Sequence, residues 1–464
     1  LPLKRYQSST GSTGVIPYVD ALSELTDNYQ SFYSNVAYSL MGRYALSASA
    51  RLDQSNLFGV KSNQKGVPLF SVGASWNVAS EPFYDLKWMN SLKLRLTFGY
   101  NGNVYKDISA LTTASAATTY GLPLNSGLVY ANIVNPPNPD LRWERTKIVN
   151  LGLDFALFGS SLTGSVDYYR KNGIDLIGNS VMDPTTGIAA FTGNNASTKG
   201  EGIDLQLSSL KKIAQFSWNS TLNFSYGTNL VSEYHKKNTG NYYITNPGVP
   251  LKGRPLLSLY SYSWAGLDPL NGEPRAYLNG VVSKDYTVIQ NNATPENIVY
   301  SGSAVPVYFG SLINGFQYRG FAFSFNVAYR LGYYFRKNTI NMNTALSALG
   351  GHGDYSKRWQ KPGDELFTQV PVLPISISAS RQNVVTYADI LVHRADHIRL
   401  QDVTFSYQVQ KKQWAKLPFN ELQLHLYANN LGLIWRANKL GIDPDYQLSG
   451  PAPRTLSLGL KAGF

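Results

Sequence analysis

The sequence predicts an all-β protein, a transmembrane antiparallel β-barrel, and three observations carry that prediction. The first is the C-terminal stretch. Leu456, Leu458, Leu460, Ala462 and Phe464 fall on one side of an extended strand, and Thr455, Ser457, Gly459 and Lys461 on the other. Chain termini usually fray, yet this alternation holds to a final aromatic residue, as a strand that closes a wall against lipid requires. The second is composition. The chain has 464 residues, 43% hydrophobic but only 15% charged, with 32 Tyr, 20 Phe and 8 Trp. No apolar run approaches the roughly 18 residues that mark a membrane helix. Alternation hides polar residues from lipid and keeps mean hydropathy mild, here −0.21. The third is a cadence of connections, short on one rim and long on the other.

Composition also excludes. Cysteine is absent, which removes disulfides, thiol nucleophiles and Cys-zinc sites. His235, His352, His393, His397 and His425 lack metal-ligand spacing. No catalytic constellation and no cofactor is expected; His425 reads as a hydrogen-bonding residue on the polar face of a strand. Asp443-Pro444-Asp445 offers oxygen ligands to a cation, but turn chemistry explains it better. The net charge of +12 is scattered. The pairs Lys211-Lys212 and Lys411-Lys412 fall in predicted turns, and no basic stripe is interleaved with aromatics, so nucleic-acid binding is not expected.

Residues 1–28 are polar and read as loop. The first strand carries Phe32, Val36, Tyr38 and Leu40 on one face, and Met41-Gly42-Arg43 turns the chain. Tyr44, Leu46, Ala48, Ala50 and Leu52 share the next face; Phe70, Val72, Ala74, Trp76 and Val78 the third; Leu92, Leu94, Leu96, Phe98 and Tyr100 the fourth. Beyond a long loop, Leu151, Leu153, Phe155 and Leu157 alternate with Asn150, Gly152, Asp154 and Ala156. Leu162, Val166 and Tyr168 return after Gly159-Ser160-Ser161. Ile203, Leu205 and Leu207 follow, then Phe216, Trp218, Leu222, Phe224 and Tyr226. Residues 231–305 are ambiguous: a hairpin of 256–265 and 274–278 around Asp268-Pro269-Leu270-Asn271-Gly272 belongs either to a large loop or to the wall. The pattern resumes from Val305 through Phe321, Phe323, Phe325, Val327, Tyr329 and Leu331. A strand follows through Ile398, Leu400, Val403, Phe405 and Tyr407. Its phase slips at Gln401-Asp402, which predicts a bulge. Leu422, Leu424, Leu426 and Ala428 precede the closing strand.

The count is about 13 strands, or about 15 with the ambiguous hairpin. With Phe464 at the periplasmic rim, the outer loops are 54–67, 103–140, 177–196, 231–305, 337–394 and 437–452. Many strands exceed the roughly 9–11 residues that cross a bilayer, so the wall should project above the membrane. An odd count does not close a single-chain bacterial barrel. The expectation is a wall that begins part-way round, the C-terminal portion of something larger.

These segments resemble a family. Tyr38-Ser39-Leu40-Met41-Gly42-Arg43-Tyr44 and Ala48-Ser49-Ala50-Arg51-Leu52-Asp53-Gln54-Ser55 look like paired strands of SusC/RagA-type TonB-dependent transporters of Bacteroidetes, with Gln54 where the family usually has Gly. The most specific run is Asn138-Pro139-Asp140-Leu141-Arg142-Trp143-Glu144-Arg145-Thr146. Gly266-Leu267-Asp268-Pro269, Arg394-Ala395-Asp396-His397-Ile398-Arg399-Leu400, Asn429-Asn430-Leu431 and Ile442-Asp443-Pro444-Asp445 follow in order. The resemblance implies a barrel of about 22 strands with a plugged lumen, of which residues 29–464 supply the C-terminal part. It further implies import of glycans or peptides with a SusD-like surface lipoprotein as lid, driven through TonB. The plug, the rest of the barrel and the TonB-contacting motif are then expected outside this chain.

Asn138, Pro139, Asp140, Leu141, Trp143 and Glu144 are expected to position a strand entry and to bury Trp143. Leu456, Leu458, Leu460 and Phe464 are expected to face lipid on the closing strand. Ligand contact would come from aromatic residues of the outer loops, with Tyr242, Tyr243, Tyr260, Tyr262, Trp264 and Trp359 as candidates; interface-belt or loop packing is the competing reading. The alternatives are a secreted or surface all-β carbohydrate-binding protein or adhesin, which would need compact units of about 100 residues, and a non-transporting barrel subunit of a cell-surface complex.

Overall fold

Thirteen strands form one antiparallel sheet in which every strand pairs only with its neighbours in sequence. They are β1 (Tyr29–Leu40), β2 (Tyr44–Ser55), β3 (Gly66–Asn77), β4 (Met89–Asn103), β5 (Glu144–Leu157), β6 (Leu162–Val181), β7 (Ala190–Ile213), β8 (Phe216–Tyr234), β9 (Tyr308–Tyr318), β10 (Phe321–Leu331), β11 (His397–Gln410), β12 (Glu421–Arg436) and β13 (Thr455–Gly463). This is a computed structural model. It describes the chain apart from residues 1–4, 8, 10, 12, 16–25, 27, 56–65, 107, 109, 118–129, 182, 184, 186–189, 348–350, 411, 413, 415–417 and 448–449. No helix among the described residues is long and apolar enough to cross a membrane, which says nothing against crossing by strands. The ambiguous hairpin of residues 256–278 lies outside the wall. Within residues 1–28, otherwise read as loop, Arg5–Gln7 pairs with Thr13–Val15 apart from the wall.

The short connections lie on one rim, and left-handed backbone makes them tight. Met41 and Gly42 have φ of 54° and 67°, Phe158, Gly159 and Ser160 of 53°, 66° and 67°, and Arg319 and Gly320 of 46° and 88°. Consecutive positive φ values match the twist of the strands they join. Lys211 and Lys212 were expected in such a turn. They instead end β7, opposite Trp218 and Ser217, and the turn follows at Ala214-Gln215.

One face of the wall carries a band of exposed apolar side chains. Leu456, Leu458 and Leu460 are 72%, 74% and 69% exposed, with nothing among the described residues covering them. Aromatic rings crowd the short-turn rim: Trp218 stacks on Phe316, Phe321 on Tyr407, and Phe419 meets Phe464 edge-on. At the other edge of the band Tyr226 packs on Tyr308, and on β6 Tyr168 gives way to Arg170, paired with Glu201 of β7 at 3.6 Å. Aromatic girdles that flank an apolar band of about 25 Å are the membrane signature of a barrel.

The long strands continue past that band. β7 has 24 residues and β6 has 20. The expected loop 177–196 is therefore mostly ladder, with Ile177 opposite Asn194 and Val181 opposite Ala190. Above the lipid both faces meet water, so Asn179, Ser180, Thr192, Asn194 and Asn195 carry no alternation to read. The bulge in β11 is present: Asn326 pairs with Asp402 and Val327 with Leu400, leaving Gln401 unpaired.

Candidate functional site

The polar face of the wall is a row of interlocking side chains. Arg95 of β4 makes two bonds of 2.8 Å to the Asp154 carboxylate of β5 and reaches Asp167 of β6 at 2.9 Å, while Asn150 donates to the other Asp167 oxygen at 2.9 Å. The register explains the reach. Gly152 sits directly between Arg95 and Asp167, and a Cβ there would lie 2.6 Å from the guanidinium carbon. Farther along, Ser208 meets Thr221, Asn223 donates to Ser311 and Asn326 to Asp402. These groups bond to one another across neighbouring strands, which holds the strands in register.

Two clamps fasten the long-loop rim to the wall. In the first, Leu141 is fully buried and Trp143 is 6% exposed, packed with Val67, Leu69, Ile108 and Ala110. The Asn138 carbonyl accepts from Leu141 N–H at 3.1 Å and so closes the turn through Pro139 and Asp140. Glu144 accepts from Ile177 N–H and from Asn103. Arg142 and Arg145 both hold Asp175, at 2.5 and 2.6 Å. Asp175 has φ of 59° beside an irregularity in β6. Burial alone would raise the Asp175 pKa, but the two arginines hold it below the ordinary carboxylate value.

In the second clamp Arg399, nearly buried, donates to both oxygens of Asp443, at 2.7 and 2.6 Å. Asp445 takes Arg330 at 2.6 Å and lies 3.3 Å from His397. Burial pushes Asp445 up, yet His397, Arg330 and Arg399 outweigh it and bring its pKa to about 2. Both carboxylates of Asp443-Pro444-Asp445 are thus engaged by side chains of the wall. No group of three His, Cys, Asp or Glu that could hold a metal occurs among the described residues.

The two longest outer loops, 235–307 and 332–396, fold together. Each of their short helices, α1 (Gly240–Thr245), α2 (Tyr286–Asn291), α3 (Met342–Leu346) and α4 (Ala379–Thr386), has a side chain capping its N-terminus: Thr239, Asp285, Asn341 and Ser378. Tyr243, Ile244, Tyr260, Tyr262, Ala276, Ile289, Ala293 and Val384 form a shared core. The loops are stitched by Tyr262 N–H to the Tyr387 carbonyl and Asp389 N–H to the Tyr262 carbonyl, both 3.0 Å, and by Arg381 to Glu273 at 2.6 Å. Arg336 reaches in to the Ser261 hydroxyl at 2.9 Å, and burial lowers its pKa to about 10.

This core decides where the six candidate aromatics sit. Tyr243, Tyr260 and Tyr262 are each 4% exposed and Trp359 is 6%, so their rings are packed inside the loop domain. The Trp359 ring lies against Gly272, where no side chain would fit. Trp264 is half-buried and donates its indole N–H to Gln369 at 2.7 Å. Tyr242 is open, under Lys236. Alternation places Asp154 on the polar face, but no local pattern shows that register brings it together with Arg95 and Asp167. Asn194, which accepts from Arg142 N–H at 2.9 Å and donates to the Asp175 carbonyl, ties the first clamp from within the stretch read as loop, and Asp175 lies just before that stretch.

A long-strand antiparallel wall with an exterior apolar band and an ordered outer-loop layer defines an outer-membrane β-barrel. Residues 3–431 match the family model described as TonB dependent receptor-like, beta-barrel, and the chain belongs to that outer-membrane family. It is 27% identical over 97% of its length to TonB-dependent receptor P39 of Formosa agariphila, covering 46% of that protein. It is 25% identical over 94% of its length to TonB-dependent receptor SusC of Bacteroides thetaiotaomicron, covering 43% of it. Its fold matches the RagAB peptide importer in the closed-closed state with a TM-score of 0.75 at 22% identity, over 93% of this chain and 47% of that one. The chain thus spans about half the length of the curated relatives it matches.

Proposed function

We propose that this chain forms the C-terminal wall and outer-loop layer of a SusC-like TonB-dependent importer that takes up oligosaccharides or peptides across the outer membrane with a SusD-like surface lipoprotein. The observation that carries the proposal is the division of the molecule. A continuous 13-stranded wall carries the exterior apolar band, and two long loops on one rim share a buried core, so an ordered layer stands on that rim. Similarity to SusC and to the RagAB importer supports the reading. The plug, the remaining strands and the contact with TonB belong to the part of the protein outside this chain.

The test is purification of the native protein from outer membranes in detergent, with the intact mass and co-purifying chains identified, beside solute uptake in cells with and without the gene and with and without TonB. A polypeptide near twice 51.3 kDa, accompanied by a lipoprotein, with uptake lost in both deletions, is expected. Uptake unchanged by either deletion would leave a barrel without import activity.

A further inference from the structure

The outer-loop domain holds a cleft that only Tyr262 of the six candidate aromatics lines. It lies between the hairpin of Pro274–Leu278 and Val281–Ser283 and the segment that runs from α2 into the strand Val299–Ser303, with a volume of about 300 Å3. That is the lower end of the range for small-ligand sites, so it admits a ring-sized group rather than a folded chain. Leu278, Ile289, Ala293, Ile298 and Val299 give it aliphatic walls.

Its polar groups divide into two sets. Tyr262 donates its hydroxyl to Asn241, and Asn297 accepts from Thr294 N–H and donates to the Asn292 carbonyl, so these are committed to the fold. The side chains of Ser263, Tyr277 and Asn279 make no hydrogen bond with any described residue, and all three line the cleft. Asn279 stands at the tip of its hairpin with φ of 50°, followed by Gly280 at 82°, so the turn fixes where its side chain leaves the backbone. Tyr277 is 46% exposed. No charged residue lines the cleft, in a chain of net charge +12.

We propose that this cleft binds one uncharged sugar ring of an oligosaccharide, an assignment that rests on the import reading and narrows it. A pyranose presents an apolar C–H face and a rim of hydroxyls that donate and accept. Aliphatic walls and the Tyr277 ring suit the face. Two hydroxyls and an amide, each able to donate and accept, suit the rim. An ionised group would find no counter-charge here. A peptide would bring backbone groups in an extended row, which a ring-sized cleft cannot pair.

The experiment uses the complete native complex in detergent and measures binding by calorimetry. The probes are uncharged hexasaccharides of α-glucose, β-glucose and β-mannose, and an uncharged hexapeptide as the competing class. Tyr277→Ala removes an exposed ring, and Asn279→Gly removes the amide while keeping a residue that tolerates positive φ; unchanged yield of the assembled complex confirms folding. Binding of at least one hexasaccharide, weakened tenfold or more by Tyr277→Ala and several-fold by Asn279→Gly, is expected. No hexasaccharide binding, binding indifferent to both substitutions, or peptide binding that both substitutions abolish would each overturn the assignment. Uptake is scored separately in cells. Uptake unaffected by both variants removes the sugar cleft and leaves the import reading standing, whereas no TonB-dependent uptake of any solute by the unaltered protein removes the import reading itself.

Discussion

The wall and the outer-loop domain place their apolar residues against different media. In the wall, Leu424, Leu456 and Leu458 point away from the protein and are 46%, 72% and 74% exposed; in the loop domain Ile244 and Val384 are 2% and 0% exposed. One set is stabilised by lipid that the chain does not contain, the other by side chains it does contain. A leucine therefore means opposite things in the two regions. In the wall it marks an outer surface and in the loops an interior, and hydrophobicity alone cannot tell them apart. Period separates them: strict alternation belongs to the wall, and the loop core is built from residues far apart in sequence.

Substitutions can break this comparison. The largest effect is expected from Ile244→Ala, which opens a void in the loop core and should destabilise that domain by about 2–5 kcal/mol. Hydrogen exchange should rise across the loop helices and stay unchanged in β5–β8; a rise throughout would mean that the two regions are one cooperative unit. Next is Leu424→Arg, which puts a charge on the lipid face at about 2–4 kcal/mol near the midplane. Normal outer-membrane yield of this variant would contradict the facing assigned to β12.

The third prediction concerns the Asp445 clamp. Its carboxyl sits at about 2 in the fold, against roughly 3.9 for a free aspartate. A depressed carboxylate contributes its full stabilisation above the free value and loses it as pH falls through the folded one. The loop 437–452 should stay protected down to about pH 4 and open between about 4 and 2, a change on the order of 2 kcal/mol. Limited proteolysis across that range tests it, and Asp445→Asn should flatten the transition. Smaller still is Gly152→Ala. The added methyl displaces the far ends of the Arg95 and Asp167 side chains, which can swing away, so about 1 kcal/mol is expected, the low end of overpacking effects. A lowered thermal midpoint of the detergent-solubilised barrel would register it. At the bottom of the scale, Leu270→Arg on a loop tip that is 84% exposed should change stability by no more than about 0.5 kcal/mol, although the same substitution at Leu424 is severe.

What the sequence made legible follows the same division. The apolar band could be read because lipid on one side and polar neighbours on the other force a period of two. Even the slip at Gln401 showed as a phase change, and it lies where the ladder skips a residue. Above the band, β6 and β7 pass through Asn179, Thr192 and Asn195 with water on both sides, and alternation lapses while the strand continues. The aromatic candidates were chosen for being aromatic and in loops. The fold uses Tyr243, Tyr260 and Tyr262 as core because two loops separated by the β9–β10 hairpin converge there, a contact that no local pattern encodes. Ser263 and Asn279 carry no signal in the sequence; what distinguishes them is a side chain beside a cleft with no hydrogen bond to any described residue.

The order of strands has one more consequence. Within the sheet, the backbone ladder of each strand runs only to the strands before and after it in the chain. A loop on the outer rim is therefore spliced into the wall at two adjacent strands and nowhere else in the sheet. Loops can lengthen, shorten or be exchanged while the frame keeps its register, as fittings are changed on a standing scaffold. The outer rim can therefore vary without disturbing the pairing of the wall.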